Sequence, residues 1–162
     1  MARAMSERRP RAGALFVGRL DAESGIGTLL EALELYSAAR VEVIGAGPEE
    51  ARLHGRARVR LLGRVGPAEV QERMRGAAYL VMPSLAYEAT PRALVEAFAN
   101  ELPVLASRLG ALAELVEPGR NGLLFEPGSA RDLARRLARA EAIPQKMRPM
   151  GACAPAGYEW RV

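Results

Sequence analysis

The chain has 162 residues, 49% of them apolar and 26% charged, with a formal net charge of +4. That balance fits one globular domain of ordinary size and excludes collagen-like, coiled-coil and disulfide-framework architectures. No run approaches the ~18 consecutive apolar residues of a membrane span, and Met1 to Arg11 contain no apolar stretch that would make a secretory leader.

Residues 1–12 form a basic segment with Arg3, Arg8, Arg9 and Arg11, expected to be a solvated, disordered tail. Its alternative role is contact with anionic lipid, that is, peripheral association with the inner face of a membrane. Nothing interleaves aromatic residues with these arginines, so no nucleic-acid partner is expected. Cys153 is the lone cysteine and His54 the lone histidine. Together they exclude an intrachain disulfide and a multi-histidine metal site, and they point to a reducing cytoplasm.

Ala14 to Gly18 reads as a buried strand, followed by a helix with Ile26, Leu29, Leu30 and Leu33 on one face. Val41 to Gly45 is a second strand. Ala46-Gly47-Pro48 then turns the chain into a short helix near Glu49 to Leu53. Val59 to Gly63 makes a third strand, and Pro67 opens a helix striped by Val70, Met74 and Ala77. Tyr79 to Met82 is a fourth strand, closed by Pro83-Ser84. Thr90-Pro91 is read as a capping residue and a first-turn proline for a helix carrying Leu94, Val95 and Phe98 to about Asn100. Val104 to Ala106 and Gly122 to Phe125 are further strands. Ser129 and Asp132 open a last helix with Leu133 and Leu137 buried. Beyond it, residues 143–162 are rich in proline and glycine and are expected to be a truncated helix.

This alternation predicts an α/β fold: a Rossmann-like, three-layer α/β/α domain over residues 13–142, on a parallel sheet of about six strands. Such sheets bind ligands at the carboxyl ends of their strands. Four features gather there. Gly18-Arg19 puts a permanent cation after the first strand. Gly45-Ala46-Gly47-Pro48 is a loop small enough for a ligand to approach closely. Glu88 and Glu96 are eight positions apart around a helix start. That start, at Thr90, offers free amides and a positive dipole end to a phosphate. A carboxylate beside a phosphate site suits hydroxyl groups, such as those of a sugar or a ribose.

In these segments the chain resembles the family 4 (group 1) retaining glycosyltransferases, which have the two-domain GT-B fold. Phe16 to Ile26 is similar to their phosphate-binding segment, and Pro83-Ser84 through Glu88 to Ala99 to their two-glutamate signature. Pro103 to Ser107, Glu114 to Val116 and Asn121 to Phe125 continue the likeness. The resemblance implies the donor-binding half of a metal-independent, retaining, hexosyl-type transferase. Its substrate would be a nucleoside-diphosphate sugar, it would need no cofactor, and an N-terminal acceptor-binding domain would be missing from this chain.

By the same resemblance Arg19 and Glu88 are the catalytic residues. Arg19 would contact the diphosphate, alongside Gly18 and Ser24. Val65 would meet the base through its backbone, and Glu88 the hydroxyls of the donor sugar. Thr90 and the amides of Arg92 and Ala93 would receive the phosphate, and Glu96 would hold the ribose. The family has a lysine where this chain has Ser24, and a glycine where it has Glu101. Two other readings stand beside this one: a non-catalytic nucleotide-sugar-binding module, which Ser24 would suit, and a flavodoxin-like regulatory domain, which Gly18-Arg19 argues against.

Overall fold

A computed structural model describes residues 11–87 and 91–142. Glu88, Thr90 and the segment 143–162 lie outside the described residues, as does all of the basic tail before Arg11. Strands and helices alternate: β1 Ala14–Val17, α1 Ile26–Leu35, β2 Val41–Ile44, β3 Val59–Gly63, α2 Pro67–Gly76, β4 Tyr79–Met82, α3 Arg92–Ala99, β5 Val104–Ser107, α4 Gly110–Leu115, β6 Gly122–Phe125 and α5 Ala130–Ala142. One 3-10 turn, Ala22–Ser24, precedes α1, and a 3-10 helix, Pro48–Leu53, is the short helix expected near Glu49 to Leu53.

All recorded pairings are parallel, and the six strands run in the order β3-β2-β1-β4-β5-β6. The chain therefore builds the sheet outward in one direction from β1, then returns and builds in the other from β4. That reversal falls between β1 and β4. β1 pairs with β2 through all four of its residues, whereas its ladder to β4 comprises only Ala14↔Tyr79 and Leu15↔Leu80. The carboxyl halves of β1 and β4 thus flank a crevice, the position where open α/β sheets take ligands.

Because side chains alternate along a strand, each strand feeds both faces. Phe16, Val43, Val81, Leu105 and Phe125 pack with α1 and α5 residues such as Ile26, Leu29, Leu133 and Leu137. Leu15, Ile44, Leu80, Met82, Val104 and Leu124 pack on the opposite face with Met74, Leu94, Phe98 and Leu112 from α2, α3 and α4. Two cores and three layers result, as the alternation predicts.

Helix α4 has no counterpart in the sequence reading. It is six residues long and its N-cap, Leu109, makes no side-chain capping bond, so neither length nor capping advertises it. Helix α5 follows the expected logic more closely. Ser129 Oγ accepts from Asp132 N at 3.1 Å, and Asp132 Oδ2 accepts from Glu126 N at 2.7 Å. At its far end Tyr79 Oη donates to Glu141 Oε1 at 2.6 Å. Burial, and then the bond to and charge of Glu141, push the Tyr79 phenol far above its ordinary pKa, which keeps it a donor.

Helix α3 departs from expectation at both ends. It begins at Arg92, and Pro91 is its N-cap in extended conformation instead of its first helical residue. At the other end Glu101 occupies a left-handed conformation, φ 54°. Leu102 N bonds to Ala97 O and Glu101 N to Phe98 O, the bond pattern with which helices close on a left-handed residue, most often glycine. A glutamate is tolerated there with help from Arg11, whose guanidinium donates to Glu101 O at 3.1 Å and to Asn100 O at 2.7 Å. Arg11 and Ala12, assigned by sequence to the tail, are in fact attached to the fold, Ala12 N donating to Gly76 O.

The left-handed position 101 gives a test by side-chain series. Urea denaturation should rank Glu101→Gly above Glu101→Val by about 1–2 kcal/mol, because a branched Cβ is costly at positive φ. Equal stability of the two variants would mean that the helix does not close in this way.

Candidate functional site

The crevice between β1 and β4 opens into a cleft of ≈ 700 Å³. Its walls come from the end of β1 with the loop after it, from α2, and from the end of β4 with the first turns of α3.

The loop after β1 is shaped by Asp21. Its Oδ1 accepts from Ser24 N at 2.9 Å, its Oδ2 accepts from Arg19 Nε at 3.3 Å, and its backbone oxygen accepts from Ser24 Oγ at 2.8 Å. The Asp-x-x-Ser spacing thus makes a capped 3-10 turn. Gly25 follows at φ 76°, and a Cβ there would overlap the carbonyl oxygen of Pro83. Beside it Leu85 N donates to Glu23 O at 2.8 Å. The loops leaving β1 and β4 are therefore joined backbone to backbone.

Gly45 and Gly47 have a different task from the one read in sequence. A Cβ on either would overlap backbone oxygens, of Gly18 and of Leu20 respectively, and neither residue lines the cleft. The close approach seen here is made by the chain's own backbone. Gly18 N donates to Ile44 O and Leu20 N to Ala46 O, both at 3.0 Å, which fixes where Arg19 leaves the sheet.

Of the residues singled out in sequence, Gly18, Arg19, Ser24, Val65, Arg92, Ala93 and Glu96 all line this one cleft. Glu88 and Thr90 lie outside the described residues, between Tyr87, another lining residue, and Arg92. Arg19 is 83% exposed in its side chain, so its charge stands in solvent at the cleft mouth. At α3 the first inward amide bonds come from Leu94 N and Val95 N, both to Pro91 O. Arg92 and Ala93 are the first two residues of the helix, positions whose amides have no acceptor within it.

Glu96 is held from three directions. Its Oε1 accepts from Arg92 Nε at 2.9 Å and its Oε2 from Gln71 Nε2 at 3.4 Å. Asn100 Nδ2 donates to Gln71 Oε1 at 2.6 Å and to Glu96 O at 2.9 Å. Gln71 and Asn100 escaped the sequence reading, since amide side chains meeting across 29 residues leave no periodic signal. Among the described residues no group of three or more His, Cys, Asp and Glu is placed to hold a metal ion. None of the described helices is long and apolar enough to cross a membrane.

The family model for glycosyl transferases group 1 matches residues 11–141. This chain belongs to the group 1 glycosyltransferases. It is 33% identical over 168 residues to the phosphatidyl-myo-inositol mannosyltransferase of Mycobacterium leprae, covering 94% of this chain and 45% of that protein. In structure it matches Anabaena Alr3699/HepE in complex with UDP and glucose at a TM-score of 0.78 and 25% identity, over 94% of this chain and 44% of that one. The C-terminal domain of the group 1 glycosyltransferase LpcC from Francisella tularensis has the same fold, at a TM-score of 0.74 and 20% identity, with 92% and 85% covered. The glycosyltransferase chain described here therefore corresponds to one Rossmann-like half of a GT-B architecture. It spans about half the length of the first two relatives.

The contact of Gly25 with Pro83 is testable by adding one methyl group. Gly25→Ala should cost about 2–4 kcal/mol in denaturation, combining overlap with unfavourable φ. An unchanged midpoint would show that the two loops are not in contact.

Proposed function

We propose that this cleft binds a nucleoside-diphosphate sugar and that the domain is the donor half of a retaining, hexosyl-type glycosyltransferase working without a metal ion. The observation that carries this is the convergence on one cleft of Arg19, the first-turn residues Arg92 and Ala93 of α3, and Glu96. UDP and glucose in the Anabaena relative support it. In the transfer, the bond from the sugar's anomeric carbon to the diphosphate breaks and its electron pair stays on the departing diphosphate, while an acceptor hydroxyl oxygen bonds to that carbon and its proton passes to a diphosphate oxygen. Arg19 and the α3 amides offset the charge left behind. Val65 meets the base, Glu96 the ribose, and Glu88 and Thr90 the sugar and phosphate side.

The acceptor is proposed to be held by a facing domain, equivalent to the remaining length of the relatives. We place the enzyme in the cytoplasm; Arg11 being committed to α3, Arg3, Arg8 and Arg9 are the residues for any contact with a membrane surface. Ser24 favours a second reading, a non-catalytic sugar-nucleotide-binding module. Its hydroxyl brings no charge and already donates to Asp21 O.

A thermal-shift panel of UDP, GDP, ADP and their common sugars tests the donor reading. One nucleotide should stabilise the chain selectively, and no sugar should be transferred to an added acceptor by the chain alone. Stabilisation by none would sink the donor assignment; transfer by the chain alone would sink the need for a facing domain.

The two glutamates are separable by calorimetry with the sugar nucleotide and the free diphosphate. Glu96→Gln should weaken both ligands by about 1–3 kcal/mol, because both carry the ribose. Glu88→Gln should weaken the sugar nucleotide alone, having removed the charge that strengthens its bonds to sugar hydroxyls. Equal losses from Glu88→Gln in both ligands would remove it from the sugar.

A further inference from the structure

The described lining of the cleft is poor in positive charge for a site that takes a diphosphate. Three carboxylates, of Asp21, Glu23 and Glu96, face two guanidiniums, of Arg19 and Arg92. Neither guanidinium is idle. Arg19 Nε contacts Asp21 Oδ2 at 3.3 Å, and Arg92 Nε contacts Glu96 Oε1 at 2.9 Å. Ser24 contributes no charge where it lines the cleft, and its Oγ is bonded to Asp21 O.

The Arg92–Glu96 pair differs in how its two ends are held. Arg92 is 88% exposed in its side chain, Glu96 only 26%. Glu96 also accepts from Gln71 Nε2 at 3.4 Å, longer than its 2.9 Å contact with Arg92, whose guanidinium reaches it from solvent across one helical turn. Exposed pairs of this spacing are worth a few tenths of a kcal/mol. Little therefore keeps the arginine on its partner once another acceptor is offered. Arg92 also belongs to the first turn of α3, so its long side chain and the free amides of that turn can reach the same anion.

We propose that the Arg92 side chain is the second diphosphate cation of this cleft, released from Glu96 when a ribose takes that carboxylate. This rests on the donor reading above and adds to it. The pair then works as an exchange. With the cleft empty, Arg92 neutralises Glu96. When a nucleotide enters, ribose hydroxyls donate to Glu96 and Arg92 turns to the phosphate oxygens, supplying from α3 the charge that Ser24 does not supply from the loop after β1. Nucleoside and diphosphate ends of the ligand become coupled through one side chain.

Calorimetry on the whole chain with UDP, GDP and ADP, each beside its own nucleoside, tests the exchange. Arg92→Gln should weaken the bound diphosphate about tenfold while leaving its nucleoside unchanged or slightly tighter, and Arg92→Lys should recover most of the loss. Placing a cation back on the other wall with Ser24→Lys should blunt the effect of Arg92→Gln to about threefold or less, since the two charges serve one ligand. Because the Arg92 side chain stands in solvent, melting of the Arg92 variants should match the parent closely. Equal losses for nucleoside and diphosphate would overturn the proposal, making Arg92 a holder of Glu96 only. So would an unchanged diphosphate affinity in Arg92→Gln while the parent binds. If the parent binds none of the three diphosphates, the donor reading falls, and this inference with it.

Discussion

The whole cleft depends on one backbone contact, Gly25 against the carbonyl of Pro83, reinforced by Leu85 N on Glu23 O. The sheet reverses its order between β1 and β4, and the ladder between those strands ends after two pairs. Nothing in the ladder fixes how far apart their outgoing loops stand. The glycine does so by letting two main chains meet where any side chain would intrude. With that distance set, the loop bearing Arg19 and the helix bearing Glu96 share one wall system and can act on one ligand.

Much of the fold is legible in the sequence, because its strands are short apolar runs bounded by glycine or proline. β3, β4 and β6 begin and end where composition changes. What was lost was lost for physical reasons. Helix α4 has neither length nor a capping side chain. The start of α3 moved by one residue because proline suits both the residue before a helix and its first turn. The loop at Gly45 shows a deeper limit: small residues signal that something comes close, and sequence does not distinguish a ligand from the chain's own carbonyls. Of the cleft's charged lining, Arg19, Arg92 and Glu96 were legible in the sequence, whereas Asp21 and Glu23 were not. Gln71 and Asn100, which steady Glu96, became visible only when folding brought α2 against α3.

The cleft keeps weak and firm interactions apart. Its guanidiniums are paired at the surface, where water makes exchange cheap. Glu96 is also contacted by partly buried amides: Gln71 donates to its carboxylate, Asn100 to its backbone oxygen, and Asn100 bonds Gln71 at 2.6 Å. One partner in the ion pair is thus half-buried and the other adaptable, which suits the exchange proposed for Arg92.

The attachment of Arg11 to the far end of α3 has a mechanical consequence. Its guanidinium grips the carbonyls of Asn100 and Glu101, while the amides facing the cleft belong to the opposite end of the same eight-residue helix. Such a helix is a stiff rod of about 12 Å. Loss of the Arg11 side chain would therefore loosen the closure of α3 at the end remote from its cleft-lining first turn.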